Sequence, residues 1–140
     1  MERERILRIL DANANRAREG LRVVEDYCRF VLDDAELSSA IRNMRHGVTE
    51  QVNAIGMTSA LLEARDSESD VGTQEPEASL TARQAPADVV VANTKRAQEA
   101  LRCLEEYSKT LDTTSAEAFK KLRFDLYTLE KRLIPLLSEP

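Results

Sequence analysis

The chain has 140 residues, of which 42% are hydrophobic and 32% are charged, with four glycines and four prolines. This size suits one domain with a single core, and the composition favours long amphipathic helices over a β-sandwich, which needs more turn residues. The net charge of -5 argues against nucleic acid as a partner, because no overall positive field would attract a phosphate backbone. The charged first residues and the lack of a long apolar run argue against a signal peptide and a membrane span, so we expect a cytoplasmic protein.

Four segments carry apolar residues at spacings of three and four, which predicts four helices that each bury one face. In chain order they run from Ile6 to Val31, from Leu37 to Ile55, from Asn93 to Leu111 and from Phe119 to Leu133. Capping boxes at the second and fourth helices are predicted from Asp33 with Glu36 and from Thr114 with Glu117. Pro86 suits the first turn of the third helix, and Pro135 should end or bend the fourth.

The segment between the second and third helices is polar and shows no sustained period. Unstructured segments of this length are uncommon inside compact domains, so a functional loop is favoured over a simple linker. We therefore divide the single domain, residues 1–140, into a first repeat at about 3–57, a loop at about 64–85 and a second repeat at about 86–137.

An internal repeat organises the chain. Residues 13–27 and 93–107 share eight identities in fifteen positions, and residues 40–45 correspond more weakly to residues 118–123. A duplicated helix pair predicts an all-α fold, a four-helix bundle made of two helix pairs related by a pseudo-twofold axis.

Each copy of the repeat places an asparagine, Asn13 or Asn93, in the middle of its apolar stripe. A buried amide without hydrogen-bond partners costs about 1 to 3 kcal/mol, so these amides either tie the two halves together or bind a ligand. The next turns of both helices carry alanine or glycine at the same stripe. The helices therefore either approach closely at this point or leave a space beside the amides.

A ladder of alternating charges follows the asparagine in both copies. Its members are Arg16, Glu19, Arg22 and Glu25 in the first copy and Arg96, Glu99, Arg102 and Glu105 in the second. For Arg22, Glu25, Arg102 and Glu105 the simplest interpretation is a solvated ion-pair ladder. Arg16 and Arg96 lie near the edge of the apolar stripe, one turn from the asparagines, where a guanidinium could bind an anion.

The remaining polar candidates lie in the loop. Asp66 and Asp70, with Gly72 and Thr73, offer oxygen ligands that suit Mg²⁺ carried by phosphate, although an acidic loop is often simply solvated. His46 is the only histidine and is expected at the surface or in packing. The two cysteines, at positions 28 and 103, have neither a CxxC motif nor a nearby histidine, so we interpret them as small core residues of a reducing compartment. Neither common phosphate-binding glycine motif is present.

Four stretches of the sequence carry a family resemblance. They are Ile9–Tyr27, Ala64–Asp66, Asp70–Thr73 and Ala92–Arg102. Together they resemble the helical domain that is fused before the barrel of some bacterial thiamine-phosphate synthases and that also occurs alone, the alternative hydroxymethylpyrimidine-phosphate kinase family. The resemblance implies an ATP-dependent, Mg²⁺-requiring kinase that converts 4-amino-5-hydroxymethyl-2-methylpyrimidine phosphate to its diphosphate in thiamine biosynthesis. It also implies a functional link to thiamine-phosphate synthase, and a homodimer is an open expectation.

A kinase of this type needs metal ligands, cations at the transferred phosphoryl group and contacts that orient the acceptor. We assign catalytic roles to Arg16, Arg96, Asp66 and Asp70, with the two aspartates as metal ligands. The expected substrate contacts are Asn13, Asn93, Glu19, Glu99, Arg45, Gly72 and Thr73. Because a phosphate oxygen is already ionised near neutral pH, the reaction requires no strong general base.

Two other functions stay open at this point. The chain could be a non-catalytic module that binds a pyrimidine or docks onto a synthase, or a small helical enzyme in which arginines bind a dianionic substrate without a nucleotide. Loss of activity on replacing Asp66 or Asp70 with asparagine would favour the kinase, whereas exposed apolar patches would favour docking.

Overall fold

The computed structural model describes residues 2–56, 58–74 and 82–138, and every regular element within these ranges is helical. The helices are α1 (Glu2–Phe30), α2 (Ala35–Ile55), α3 (Thr58–Ala64), α4 (Pro86–Ser108) and α5 (Thr113–Leu137), with a 3-10 turn at Val71–Gln74. The predicted all-α class is confirmed for this part of the chain, whereas residues 75–81 of the predicted loop lie outside it. No helix of the described residues is long and apolar enough to cross a membrane.

The four predicted helices correspond to α1, α2, α4 and α5, whereas the short α3 was not predicted. Pro86 is the first residue of α4, as expected for a proline whose missing N–H costs nothing there. Pro135 lies inside α5, which continues for two further residues to Leu137. Val31, the last member of the first apolar stripe, follows the end of α1 and is 58% exposed.

Both capping predictions were wrong in detail. At α2 the capping residue is Asp34, whose Oδ1 accepts the Leu37 N–H at 2.9 Å, while Asp33 lies just outside with φ of 51°. At α5 the cap is Asp112, which accepts the Thr114 N–H at 2.9 Å, so Thr114 is already inside the helix. In both places an aspartate carboxylate immediately before the helix satisfies a backbone donor that the helix leaves unpaired.

The helices α1 and α4 form the centre of the molecule. α1 packs against α2, α3 and α4, and α5 packs against both α4 and α2. The largest fully buried side chains come from these long helices: Leu10 and Leu21 of α1, Leu37 and Ile41 of α2, Leu101 and Leu104 of α4, and Phe119 and Leu126 of α5. Burial of each such side chain stabilises the fold by about 1.5 to 3 kcal/mol, so the apolar stripes account for how the helices associate.

Gly20 sets the distance between α1 and α4. A Cβ atom at this position would lie 3.0 Å from the backbone oxygen of Asn93 and 3.5 Å from the Cβ of Ala97. The small residues of the two repeats therefore allow the helix backbones to approach closely here. This contact brings the segments with Asn13 and Asn93 together.

Two buried ion pairs recur in the two halves. Arg45 of α2 donates from Nε to Glu25 of α1 at 3.0 Å, and Arg123 of α5 donates from Nη2 to Glu105 of α4 at 2.8 Å. The predicted solvated ladder is therefore wrong for Glu25 and Glu105, which are 4% and 5% exposed. The reason is that each carboxylate meets a guanidinium from a different helix, which i,i+3 spacing within one helix cannot reveal.

The surface half of the predicted ladder has different partners. Arg22 pairs with Asp26 at 3.4 Å and Arg102 pairs with Glu106 at 3.0 Å, both across one helical turn. All four side chains are at least 41% exposed, so these are surface pairs of the expected kind. His46 is exposed, so of its two predicted places, at the surface or in packing, it takes the first.

Candidate functional site

The six polar residues that the two repeats share around the asparagines line one cavity between α1 and α4. These are Asn13, Arg16 and Glu19 of α1 and Asn93, Arg96 and Glu99 of α4. The cavity has a volume of about 380 Å³, and Gly20, Ala100 and Cys103 complete its lining. We call it the central cavity. The close approach at Gly20 explains its position, because two matching helix faces meet there.

Both asparagine amides are held by their own helices. Asn13 donates from Nδ2 to the Ile9 carbonyl at 2.9 Å, and Asn93 donates from Nδ2 to the Val89 carbonyl at 2.8 Å. These bonds satisfy one amide proton and orient the side-chain oxygens as acceptors. Asn13 is 5% exposed and its Oδ1 lies 3.5 Å from Nη1 of Arg16, so this half of the cavity is a connected polar group.

The charged residues of the central cavity are balanced in sign. Arg16 and Arg96 are exposed, as are Glu19 and Glu99, so two guanidinium groups and two carboxylates stand where the cavity opens to solvent. Guanidinium groups bind phosphate, and carboxylates with amide oxygens accept hydrogen bonds from amino groups. The arrangement suits a small ligand that carries both an anionic group and hydrogen-bond donors.

A second, larger cavity adjoins the first on the α1 side. Its volume is about 870 Å³, and it shares Asn13, Arg16, Glu19 and Cys103 with the central cavity. Its other polar lining residues are Arg5, Arg8, Asp11, Asn15, Arg65, Asp66, Ser67, Asp70 and Tyr107. We call it the loop cavity, because the segment after α3 forms one wall. The two loop aspartates and the repeated residues therefore lie around connected space.

The loop is attached to α1 by a two-point ion pair. Arg65 donates from Nε and Nη2 to the two carboxylate oxygens of Asp11, at 2.7 and 2.8 Å. This hydrogen bonding, together with the charge of Asp11, raises the pKa of Arg65 above its usual value. The pair places the start of the loop, and with it Asp66, beside α1.

The loop carboxylates are oriented by backbone donors. Asp66 accepts the Ser69 N–H through Oδ1 at 3.0 Å, and Asp70 accepts the Gly72 N–H through Oδ1 at 2.9 Å. Since one oxygen of each carboxylate makes this bond, the other can face a cation. Across residues 2–56, 58–74 and 82–138 no group of three or more acidic, histidine or cysteine side chains could hold a metal. Mg²⁺ that arrives with phosphate needs only one or two protein carboxylates.

Three predicted substrate residues lie away from this space. Arg45 is paired with Glu25 and does not line either cavity. The N–H of Gly72 is taken by Asp70, and the Thr73 hydroxyl donates to the Asp70 carbonyl at 2.7 Å. Gly72 and Thr73 therefore shape the turn that follows Asp70.

The two cysteines differ in their surroundings. Cys28 is buried, as predicted, and burial, with a smaller contribution from Asp34, raises its pKa to about 11. Cys103 is half-buried and lines both cavities, so its predicted place in the core was wrong. It occupies the position equivalent to the valine at 23 in the first repeat, on the edge of the stripe.

Sequence reasoning missed the arginines at the start of α1. Arg5 and Arg8 line the loop cavity together with Arg16. Their spacing from Arg16 could have shown this, because positions 5, 8, 12 and 16 share one face of a helix. They were overlooked because only one half of the repeat contains them.

Comparison with known proteins places the chain in a family. The model of the ThiD2 family matches residues 8–132. Relatives named thiamine-phosphate synthase are 41% identical over 94% of the chain in Rhodopirellula baltica, 44% over 92% in a Synechocystis species and 43% over 92% in Nostoc punctiforme. The chain spans only about a third of their length, 35%, 36% and 35% respectively. No solved structure matches the chain significantly. With its helical fold, its paired polar repeats and this match over most of its length, the chain belongs to the ThiD2 family.

Proposed function

We propose that this chain phosphorylates 4-amino-5-hydroxymethyl-2-methylpyrimidine phosphate to the diphosphate, with ATP as the donor and Mg²⁺ as the required ion. One observation carries the proposal: the six polar residues that duplication repeats all line a single cavity. A packing role alone would not need the repeated charged residues at an opening to solvent. The similarity to thiamine-phosphate synthases supports a reaction in thiamine biosynthesis.

The central cavity matches the acceptor in chemistry. The side-chain oxygens of Asn13 and Asn93 and the carboxylates of Glu19 and Glu99 accept hydrogen bonds, as the amino group of the pyrimidine requires. The guanidinium groups of Arg16 and Arg96 bind the phosphate that accepts the new phosphoryl group. Orientation of that phosphate oxygen toward the donor is the main catalytic task, since the oxygen is already ionised.

Asp66 and Asp70 would hold the magnesium ion that accompanies the donor phosphates. When bound, Mg²⁺ neutralises charge on the transferred phosphoryl group. The role of this chain is to present two oriented carboxylates beside Arg16, which lines the same loop cavity. Arg45, Gly72 and Thr73 are not part of this proposal, because their polar groups bond other residues of the fold.

We also propose that α1 with α2 and α4 with α5 are two copies of one helix pair, related by a pseudo-twofold axis in a four-helix bundle. The recurrence of one buried ion pair supports this arrangement: Glu25 with Arg45 in the first half and Glu105 with Arg123 in the second. The residues of each pair are equivalent in the sequence repeat. The ligand site would then lie on or near the axis.

The test is incubation with the pyrimidine phosphate, ATP and Mg²⁺, followed by detection of the diphosphate and ADP by ³¹P NMR. Asp66→Asn and Asp70→Asn should each lower turnover at least about tenfold, because loss of a partner outside the first coordination shell already costs that much; the asparagine oxygen still accepts the backbone N–H. Asp125→Asn is the matched control, since Asp125 is an exposed partner of Lys121 on α5. Wild-type protein without turnover would refute the kinase.

An apolar groove favours one alternative, a docking module. The end of α1 and the start of α4 form a groove of about 470 Å³, and its lining includes Val23, Phe30, Val31 and Val89. Phe30 and Val31 are 65% and 58% exposed, which is unusual for large apolar side chains that lie side by side. In this alternative the occupant is a thiamine-phosphate synthase, because in the named relatives the matching region is about a third of a longer chain.

The two functions make opposite predictions. If the chain only docks, the substitutions at Asp66 and Asp70 should have no effect, while Phe30→Ser should abolish co-elution with a thiamine-phosphate synthase in size-exclusion chromatography. If the chain is the kinase, Phe30→Ser should leave diphosphate formation unchanged, because the groove does not include any residue of the central cavity.

A further inference from the structure

The two halves of the site are not equivalent. The 80-residue offset that relates Asn13 to Asn93 would place the counterparts of Arg5 and Arg8 at Ala85 and Asp88. Ala85 precedes α4, and Asp88 accepts the Ala85 N–H at 3.1 Å to cap that helix. The first half therefore has two cations that the second half lacks, and Arg5 lies on a stretch of helix that has no counterpart in α4.

These cations continue one face of α1. Arg5, Arg8 and Arg16 all line the loop cavity, opposite Asp66 and Asp70. Arg8 donates from Nη2 toward the Asp66 backbone carbonyl at 3.5 Å, a long contact that a stronger acceptor would replace. From Arg5 to Arg16 the helix axis covers about 16 Å, enough for a chain of phosphate groups.

The charge of the loop cavity suits a polyphosphate carried with a divalent cation. Arg65 is neutralised by Asp11, which leaves three guanidinium groups, those of Arg5, Arg8 and Arg16, and three carboxylates, those of Glu19, Asp66 and Asp70. A divalent cation at the two loop carboxylates would give this balanced space a net positive charge. The central cavity is also balanced, with two guanidinium groups and two carboxylates, but neither loop aspartate lines it.

We propose that the two cavities bind different substrates, an assignment that rests on the proposed kinase function. The donor polyphosphate lies in the loop cavity along Arg5 and Arg8, and the pyrimidine phosphate lies in the central cavity against Asn93 and Arg96. Arg16 lines both cavities and stands where they join. There the bond between the γ-phosphorus and the oxygen of ADP breaks, and a bond from that phosphorus to an oxygen of the acceptor phosphate forms. ADP then leaves along Arg5 and Arg8.

The experiment measures KM for ATP and KM for the pyrimidine phosphate. It also measures the affinity of wild type and of one variant for magnesium tripolyphosphate. The double variant Arg5→Ala/Arg8→Ala should raise KM for ATP at least tenfold and leave KM for the pyrimidine phosphate within twofold of wild type. Asn93→Ala should raise KM for the pyrimidine phosphate at least tenfold and leave KM for ATP within twofold of wild type. The control Arg22→Ala/Arg29→Ala removes the same charge from exposed positions of α1, at least about 20 Å farther along the helix, and should change neither constant.

The loop-cavity assignment can fail independently of the kinase. Wild-type turnover with equal effects of Arg5→Ala/Arg8→Ala on both substrates, or with no effect, would overturn the assignment and leave the kinase standing. If wild type shows no turnover, calorimetric titration with magnesium tripolyphosphate tests whether the loop cavity binds a polyphosphate. Binding to wild type that is at least tenfold weaker in the double variant supports such a site. Absence of binding, or binding that the double variant does not weaken, overturns the site as well.

Discussion

Gly20→Ala tests the contact that forms the central cavity. In the middle of a helix, alanine stabilises the folded state by about 1 kcal/mol relative to glycine, so this substitution on an open helix face would stabilise the protein. At Gly20, however, the new Cβ would lie 3.0 Å from the Asn93 backbone oxygen. A backbone atom cannot rotate away, so α4 must shift, and such overpacking costs about 1 to 3 kcal/mol. We expect a net loss of about 1 kcal/mol.

Gly47→Ala provides the matched control. Its new Cβ would approach Cδ2 of Leu122 at 3.1 Å, but that atom is the end of a flexible side chain and can move. The helix-propensity gain should then prevail, with stabilisation of up to about 1 kcal/mol. The two alanine variants should therefore differ by about 2 kcal/mol, or roughly 6 to 10 °C in melting temperature.

Thermal and urea unfolding measured by circular dichroism give both values, and steady-state kinetics give the functional effect. Because Gly20 lines the central cavity, its variant should also raise KM for the pyrimidine phosphate, whereas Gly47→Ala should not. If Gly20→Ala is as stable as Gly47→Ala and keeps wild-type KM, the close approach of α1 and α4 does not control the site.

Three further predictions concern Glu105 and the two cysteines. Glu105→Leu should destabilise the protein by about 3 to 5 kcal/mol in urea unfolding, because it leaves the Arg123 guanidinium buried without its carboxylate. Replacing both residues with leucine should recover most of that loss. A double variant as unstable as the single one would contradict the reasoning. A thiol reagent at pH 8 should label Cys103 in the native protein and reach Cys28 only after unfolding, with the pyrimidine phosphate protecting Cys103; labelling of both thiols at equal rates would be the opposite result. Burial raises the pKa of Cys28 from 9.0 to about 11, so the folded state keeps a proton that the unfolded state loses, and stability should fall as pH rises from about 9 to 11, an effect absent in Cys28→Ala.

Most of the helical fold could be predicted from local pattern. Apolar residues at spacings of three and four identified α1, α2, α4 and α5, because a helix with one buried face must repeat its apolar residues at about 3.6 positions. The short α3 escaped prediction since its seven residues give too little periodicity. The helix caps at Asp34 and Asp112 were missed by one or two residues, because several neighbouring polar residues could each serve as a cap.

The sequence by itself marked the candidate residues that the first and third predicted helices share. Duplication marks Asn13 and Asn93, and their position within apolar stripes shows that these amides need partners. What surrounds them was decided by the tertiary structure: the two helix faces meet at Gly20, and the Arg65–Asp11 pair brings the loop aspartates alongside. It also decided that Glu25 is buried against Arg45, although its spacing resembles that of a surface ladder. Periodicity reports how a residue is placed on its own helix, whereas a partner on another helix depends on how distant segments pack.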